Sequence, residues 1–213
     1  MFVGHYGVSF AAKRVDPSIP FWVLFLAVQF LDVMWAPFVL LGIEKVRIVP
    51  GFTASNPLDL YYMPYTHSLV AACLWSAGAF AVYRLARRRD GAAAALVVAG
   101  AVLSHWVLDF VVHRPDLPLF DDSVKVGLGL WNWPGPALAL EAALLLGGMA
   151  ISLRAGPARR AATTTFCLAM LAIQVVVFFG PPPASGKAAA AYVAFAAIIG
   201  LIEGRRSITV KTA

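Results

Sequence analysis

His105, Asp109 and His113 stand at successive spacings of four in the stretch Leu103-Ser-His-Trp-Val-Leu-Asp-Phe-Val-Val-His113. On an α-helix that spacing puts imidazole, carboxylate and imidazole on one face, about one turn apart. Such a stripe suits a metal ion and is ill suited to contact with lipid. Three further candidate ligands precede it, His5, Asp32 and His67, and no histidine follows His113. Imidazole nitrogen with carboxylate oxygen favours zinc, with manganese or iron as alternatives. Six candidate ligands (His5, Asp32, His67, His105, Asp109 and His113) exceed the four of one tetrahedral site. They can hold two ions with a carboxylate bridging. The expected cofactor is therefore a divalent metal, zinc first, as one or two ions.

The elements that must position these residues are membrane spans. Of 213 residues, 61% are hydrophobic and only 13% charged, and the mean hydropathy is +0.78. A soluble domain is about half apolar and a quarter charged, so the composition is that of an integral membrane protein. The expected fold is an all-α, polytopic membrane helical bundle in one domain over residues 1–213. About six spans are expected, near residues 21–43, 66–83, 91–112, 135–153, 161–179 and 187–202. A span needs about 20 helical residues. Residues 2–12 are apolar but shorter, and read as a half-membrane or interfacial helix carrying His5. Residues 1–135 then bear the metal site and 136–213 form scaffold. Asp32, Asp109 and Glu141 are acidic residues inside spans. Each costs roughly 2.5–3.5 kcal/mol on insertion scales and so needs a partner or a function; Glu141 is assigned at most a supporting role behind the ligands. Cys73 and Cys167 lie in apolar runs without a CxxC pattern and read as packing residues.

The formal charge of +6 comes largely from clusters between spans: Lys13/Arg14, Arg84–Arg89, Arg154–Arg160 and Arg205–Lys211. With six spans all four fall on one side, which the positive-inside rule makes cytoplasmic, together with both termini. These clusters are topology signals, so no nucleic-acid partner is expected; the expected partner is the lipid bilayer. Met1-Phe-Val-Gly-His-Tyr6 lacks the order of a signal peptide, because the basic residues follow the first apolar stretch. The loops 44–65, 113–133 and 181–186 then face outward, and His67, His105, Asp109 and His113 fall in the outer half of the membrane. Gly127-Leu-Gly-Leu-Trp131 lacks the rest of a phosphate-loop pattern and reads as loop flexibility or close packing.

The order Asp32, His67, His105-x-x-x-Asp109, with His5 upstream, resembles the metal-ligand order of zinc-dependent phospholipase C and P1 nuclease. Gly4-His5-Tyr6, Tyr65-Thr-His-Ser68 and Leu103-Ser-His-Trp-x-Leu-Asp109 resemble more closely a bacterial inner-membrane family of metal-dependent hydrolases. That resemblance covers roughly residues 1–135. It implies a membrane-embedded metal-dependent hydrolase of the bacterial inner membrane; the likeness to the soluble enzymes implies a phosphoester, and a site in the outer half of the bilayer meets lipid headgroups or lipid-linked substrates. The soluble enzymes carry a further downstream His-x-x-x-Glu that this chain lacks; either His113 replaces it or the site holds fewer metals.

The expected chemistry is water activation for attack on a phosphorus or acyl centre, with Asp32 or Asp109 orienting or deprotonating the water. Arg114 is the expected phosphate clamp, with Lys45 and Arg47 behind it. Plainer roles stand beside these. His67 can be an interfacial polar residue, His113 can end its helix where the C-terminal dipole favours it, and Asp32 can form a structural ion pair. The rival functions are a transporter or ion-binding protein, a haem-binding membrane protein, and a scaffold without chemistry.

Overall fold

A computed structural model describes residues 1–153 and 160–209. Arg154, Arg159 and Lys211, part of the basic clusters, lie outside the described residues. The expected all-α bundle is what the chain forms. Helix α1 (Gly4–Val15) is followed by α2 (Phe21–Val28), α3 (Phe30–Leu40), α4 (Leu69–Ala86), α5 (Gly91–Val112), α6 (Pro134–Leu153), α7 (Arg160–Phe179) and α8 (Gly186–Thr209). Five of these are long and apolar enough to cross a membrane, and α2 with α3 makes up to a sixth.

That sixth span is not the continuous helix expected from its composition. α2 and α3 meet at an angle of 56°. Gln29 leaves the helical conformation, at φ −106° and ψ 7°. The Val28 carbonyl, which a continuous helix would bond to the amide of residue 32, accepts His105 Nδ1–H at 2.7 Å instead. A side chain that inserts into the helical ladder in this way is a sufficient cause of a kink. The break puts Asp32 in the first turn of α3, where the positive end of the helix dipole favours a carboxylate.

The 12-residue α1 is about 18 Å long, half a membrane. It is buried inside the bundle rather than laid along its surface: His5, Tyr6 and Ser9 are inaccessible. Lys13 Nζ ends it by donating to the Pro17 and Ile19 carbonyls at 2.6 Å. Tyr6 and Phe10 meet Phe25 and Phe166 edge to face at 5.2–6.5 Å, tying α1 to α2 and α7. Against α6 the helices approach backbone to backbone. A Cβ on Gly7 would fall on the Leu144 carbonyl, and one on Gly148 on the Gly7 backbone. Small residues permit such an approach where no hydrophobic force drives helices together. Ser76 Oγ donates to the Ala99 carbonyl at 2.7 Å and pins α4 to α5.

The segments expected as plain loops carry two small antiparallel hairpins: β1 (Lys45–Ile48) with β2 (Leu58–Tyr62), and β3 (Leu117–Phe120) with β4 (Ser123–Val126). Of the two readings of Gly127–Trp131, close packing is the one observed. A Cβ on Gly127 would overlap the His113 and Arg114 carbonyls. The amides of Leu128 and Gly129 donate to the Phe110 and His113 carbonyls at 2.8 and 2.6 Å, capping the end of α5. Cys167 is buried and Cys73 exposed, and neither is bonded to the other.

Candidate metal centre

Four separate elements deliver the predicted ligands to one place: α1 carries His5, the broken span Asp32, the turn before α4 His67, and the last turns of α5 His105, Asp109 and His113. Helical spacing alone aligns the last three; the rest of the fold must bring in the others. All four histidines and Asp109 are buried, and the side chain of Asp32 is 15% exposed.

The hydrogen bonds determine which nitrogen of each ring faces inward. His105 Nδ1–H is committed to the Val28 carbonyl. Thr66 Oγ1 gives its own proton to Glu44 Oε2 at 2.6 Å, so it accepts from His67 Nδ1–H at 2.7 Å. His113 Nδ1–H donates to Asp116 Oδ1 at 2.8 Å. In all three Nε2 is the nitrogen turned inward, and all three face carboxylate oxygens. From Asp109 Oδ2, His105 Nε2 lies at 3.2 Å, His67 Nε2 at 3.7 Å and His113 Nε2 at 3.8 Å. From Asp32 Oδ1, His67 Nε2 lies at 3.5 Å and His105 Nε2 at 3.8 Å. Lone pairs facing carboxylates repel unless a cation or proton lies among them. His105 Nε2 and His5 Nδ1 are buried without a hydrogen-bond partner. Outward Nδ1–H bonds that fix tautomer and ring orientation are the usual support of metal-binding histidines.

The spacing fits a metal. Ligand atoms about 2.0–2.2 Å from a tetrahedral ion lie roughly 3.3–3.6 Å apart. Four imidazole–carboxylate separations among Asp32, His67, His105 and Asp109 run from 3.2 to 3.8 Å. Two overlapping triads, His5–His105–Asp109 and Asp32–His67–His105, each bring their ligand atoms within 4.8 Å of one another. These buried His/Asp groups can hold a metal ion. His5 Nε2 meets the other Asp109 oxygen, Oδ1, at 3.2 Å, where the Met1 amino group also hydrogen-bonds. The rings of His5 and His105 stack 3.8 Å apart.

Compared with protein-family models, curated proteins and solved structures, the chain matches none.

Residues that sequence reasoning passed over stand directly behind the ligands. Glu44, Thr66 and Asp116 are buried and orient His67 and His113. Glu44 also accepts the amides of Tyr65 and Thr66 at 2.8 and 2.9 Å. Burial pushes its carboxyl above the usual range, against these donors, which favour the charged form. Two local signals could have found the set: Thr66 precedes His67, and Asp116 lies three residues after His113. Glu141 serves α1: Oε2 accepts the amides of Phe2 and Gly4 at 3.0 and 3.2 Å, and Oε1 accepts Gln174 Nε2 at 2.9 Å. Arg114 is not brought in with the ligands. It is exposed, and its guanidinium stacks 4.3 Å over the Phe52 ring. Lys45 lies over Tyr62, and Arg47 pairs with Asp59 at 2.6 Å.

A cavity of about 160 Å³ opens from the cluster. Asp32, His67, Asp109 and His113 line it together with Glu141, Gln174 and Asn56, and the rest of the lining is mainly apolar.

Proposed function

We propose that the chain is a membrane-embedded, metal-dependent hydrolase that cleaves a phosphoester of a lipid or lipid-linked substrate in the outer half of the bacterial inner membrane. The observation that carries this reading is the convergence of three imidazole Nε2 atoms on Asp109 and Asp32 beside a cavity. The imidazole–carboxylate donor set favours zinc. The basic helix ends favour cytoplasmic termini.

His105, shared by both triads, would hold the ion together with His67 and Asp32 or with His5 and Asp109, and His113 flanks the cluster. A bound divalent ion supplies charge neutralisation for a phosphate and lowers the pKa of a coordinated water to about 7. Asp32 is the more open of the two carboxylates and lines the cavity, so it orients the attacking water and takes its proton. Gln174 Oε1 is buried without a donor and lines the cavity; it can accept a hydroxyl of the substrate. The apolar surroundings exclude competing water.

The haem alternative is disfavoured by the stacked His5 and His105 rings, which leave no room for a porphyrin between them. Hydrolysis of a phosphodiester by the purified chain is expected to need metal. Chelation should remove at least nine-tenths of the rate, and added zinc should restore it. Turnover that survives exhaustive chelation, or no turnover of lipid or soluble phosphodiesters with any of zinc, manganese or iron, would overturn the hydrolase reading.

A further inference from the structure

The cavity has an apolar end that catalysis at a soluble substrate would not require. Helices α7 and α8 follow one another in the chain yet scarcely touch. α7 packs on α6, whereas α8 packs on α2 and α3. Deeper in the bundle Tyr6 fills the gap between them: its ring meets Phe166 of α7 at 5.2 Å and its hydroxyl reaches the Ala196 carbonyl of α8 at 3.5 Å. Both helices line the cavity on the side of the 180–185 turn, α7 with Ile173 and Val177 and α8 with Tyr192 and Val193. Val177 is 50% and Tyr192 65% exposed, so the opening reaches the flank of the bundle. Both helices are long and apolar enough to span. The opening therefore lies on membrane-facing helix surface, within roughly 10 Å of the helix ends that meet at residues 180–185.

We infer that the cleft between α7 and α8 is a lateral portal that admits a phospholipid from the surrounding bilayer, its acyl chain against Val177 and Val193 and its phosphate at the His/Asp cluster. Two observations choose this occupant. The molecules that meet an opening at that depth are lipids, and apolar walls accept an alkyl chain without leaving a polar group unpaired. The same cavity ends at a cluster which, once neutralised by a cation, is complementary to a phosphate. A phospholipid has both ends in one molecule. The inference deepens the hydrolase reading by naming the substrate class and its route, and rests on that reading for the phosphate end alone.

The test is retention of a long-chain phosphatidylglycerol by the full chain, counted by native mass spectrometry, with metal content measured on the same samples. Val177→Trp with Val193→Trp fills the cleft; Leu168→Trp, on an exposed position of α7 outside the cavity, is the control. Wild type and control should retain one lipid, and the double variant at least tenfold less at unchanged metal content. If the double variant does not fold, Val177→Trp alone carries the same expectation at its half-exposed site. Equal retention by wild type and cleft variant, or no retention by wild type, overturns the portal. Lipid retained while neither it nor a soluble phosphodiester is cleaved by metal-loaded protein overturns the hydrolase reading and leaves the portal standing. Cleavage of a soluble phosphodiester without lipid retention does the reverse.

Discussion

Asp109→Asn is expected to weaken divalent-metal binding by more than 100-fold while the protein still inserts in the membrane. The side chain keeps its shape and loses its charge, so packing around α5 should be little disturbed. Four imidazoles depend on that charge. His5 meets Oδ1 at 3.2 Å, and His105, His67 and His113 meet Oδ2 at 3.2, 3.7 and 3.8 Å. Loss of a partner behind a ligand typically costs about 10–100-fold in affinity; loss of the carboxylate shared by the whole cluster should exceed that. The amide can donate to only one or two of the converging nitrogens and leaves the others without a cation. Zinc titration of metal-stripped protein measures the effect. Affinity within about threefold of wild type would remove Asp109 from the ligand set and leave the stripe a structural network.

The second large effect is architectural. Gly148→Ala and Gly7→Ala should each destabilise the protein by about 1–3 kcal/mol, in the range of overpacking a close-packed interior, and should release metal as well. In both cases the new methyl meets helix backbone, which cannot rotate away. α1 must then lift off α6, and His5 moves with it. Gly147 supplies the control: it lies in the same helix with nothing within 4 Å of its added Cβ. Gly147→Ala should be neutral or gain up to about 1 kcal/mol from helix propensity. Thermal unfolding in detergent, with metal content followed in parallel, separates the three. Equal tolerance of alanine at 147 and 148 would mean that α1 is not held as described.

Much of this was legible in the sequence because a bilayer limits the choices. Spans had to be apolar helices, and the observed ones begin and end within three residues of the hydropathy pattern, except that α8 runs seven residues past it to Thr209. The His105–Asp109–His113 stripe needed only the helical repeat. Asp32 and His67 were found because a polar residue at a span centre or start is conspicuous. The break at Gln29 was not found, since it depends on a distant acceptor swap, with His105 taking the Val28 carbonyl. The hairpins were hidden by their short strands, although Lys45-Val-Arg-Ile48 does alternate polar and apolar. Nor could composition foresee the portal. α7 and α8 look alike in hydropathy, and only their separate packing partners show that they part.

The most direct test of the metal centre is elemental analysis of the full chain purified without chelator. One or two equivalents of zinc, or of another divalent transition ion, are expected per chain. Protein that comes metal-free and takes up no zinc, manganese or iron at micromolar concentrations would contradict the central claim. The converging histidines would then have to be held by protons instead.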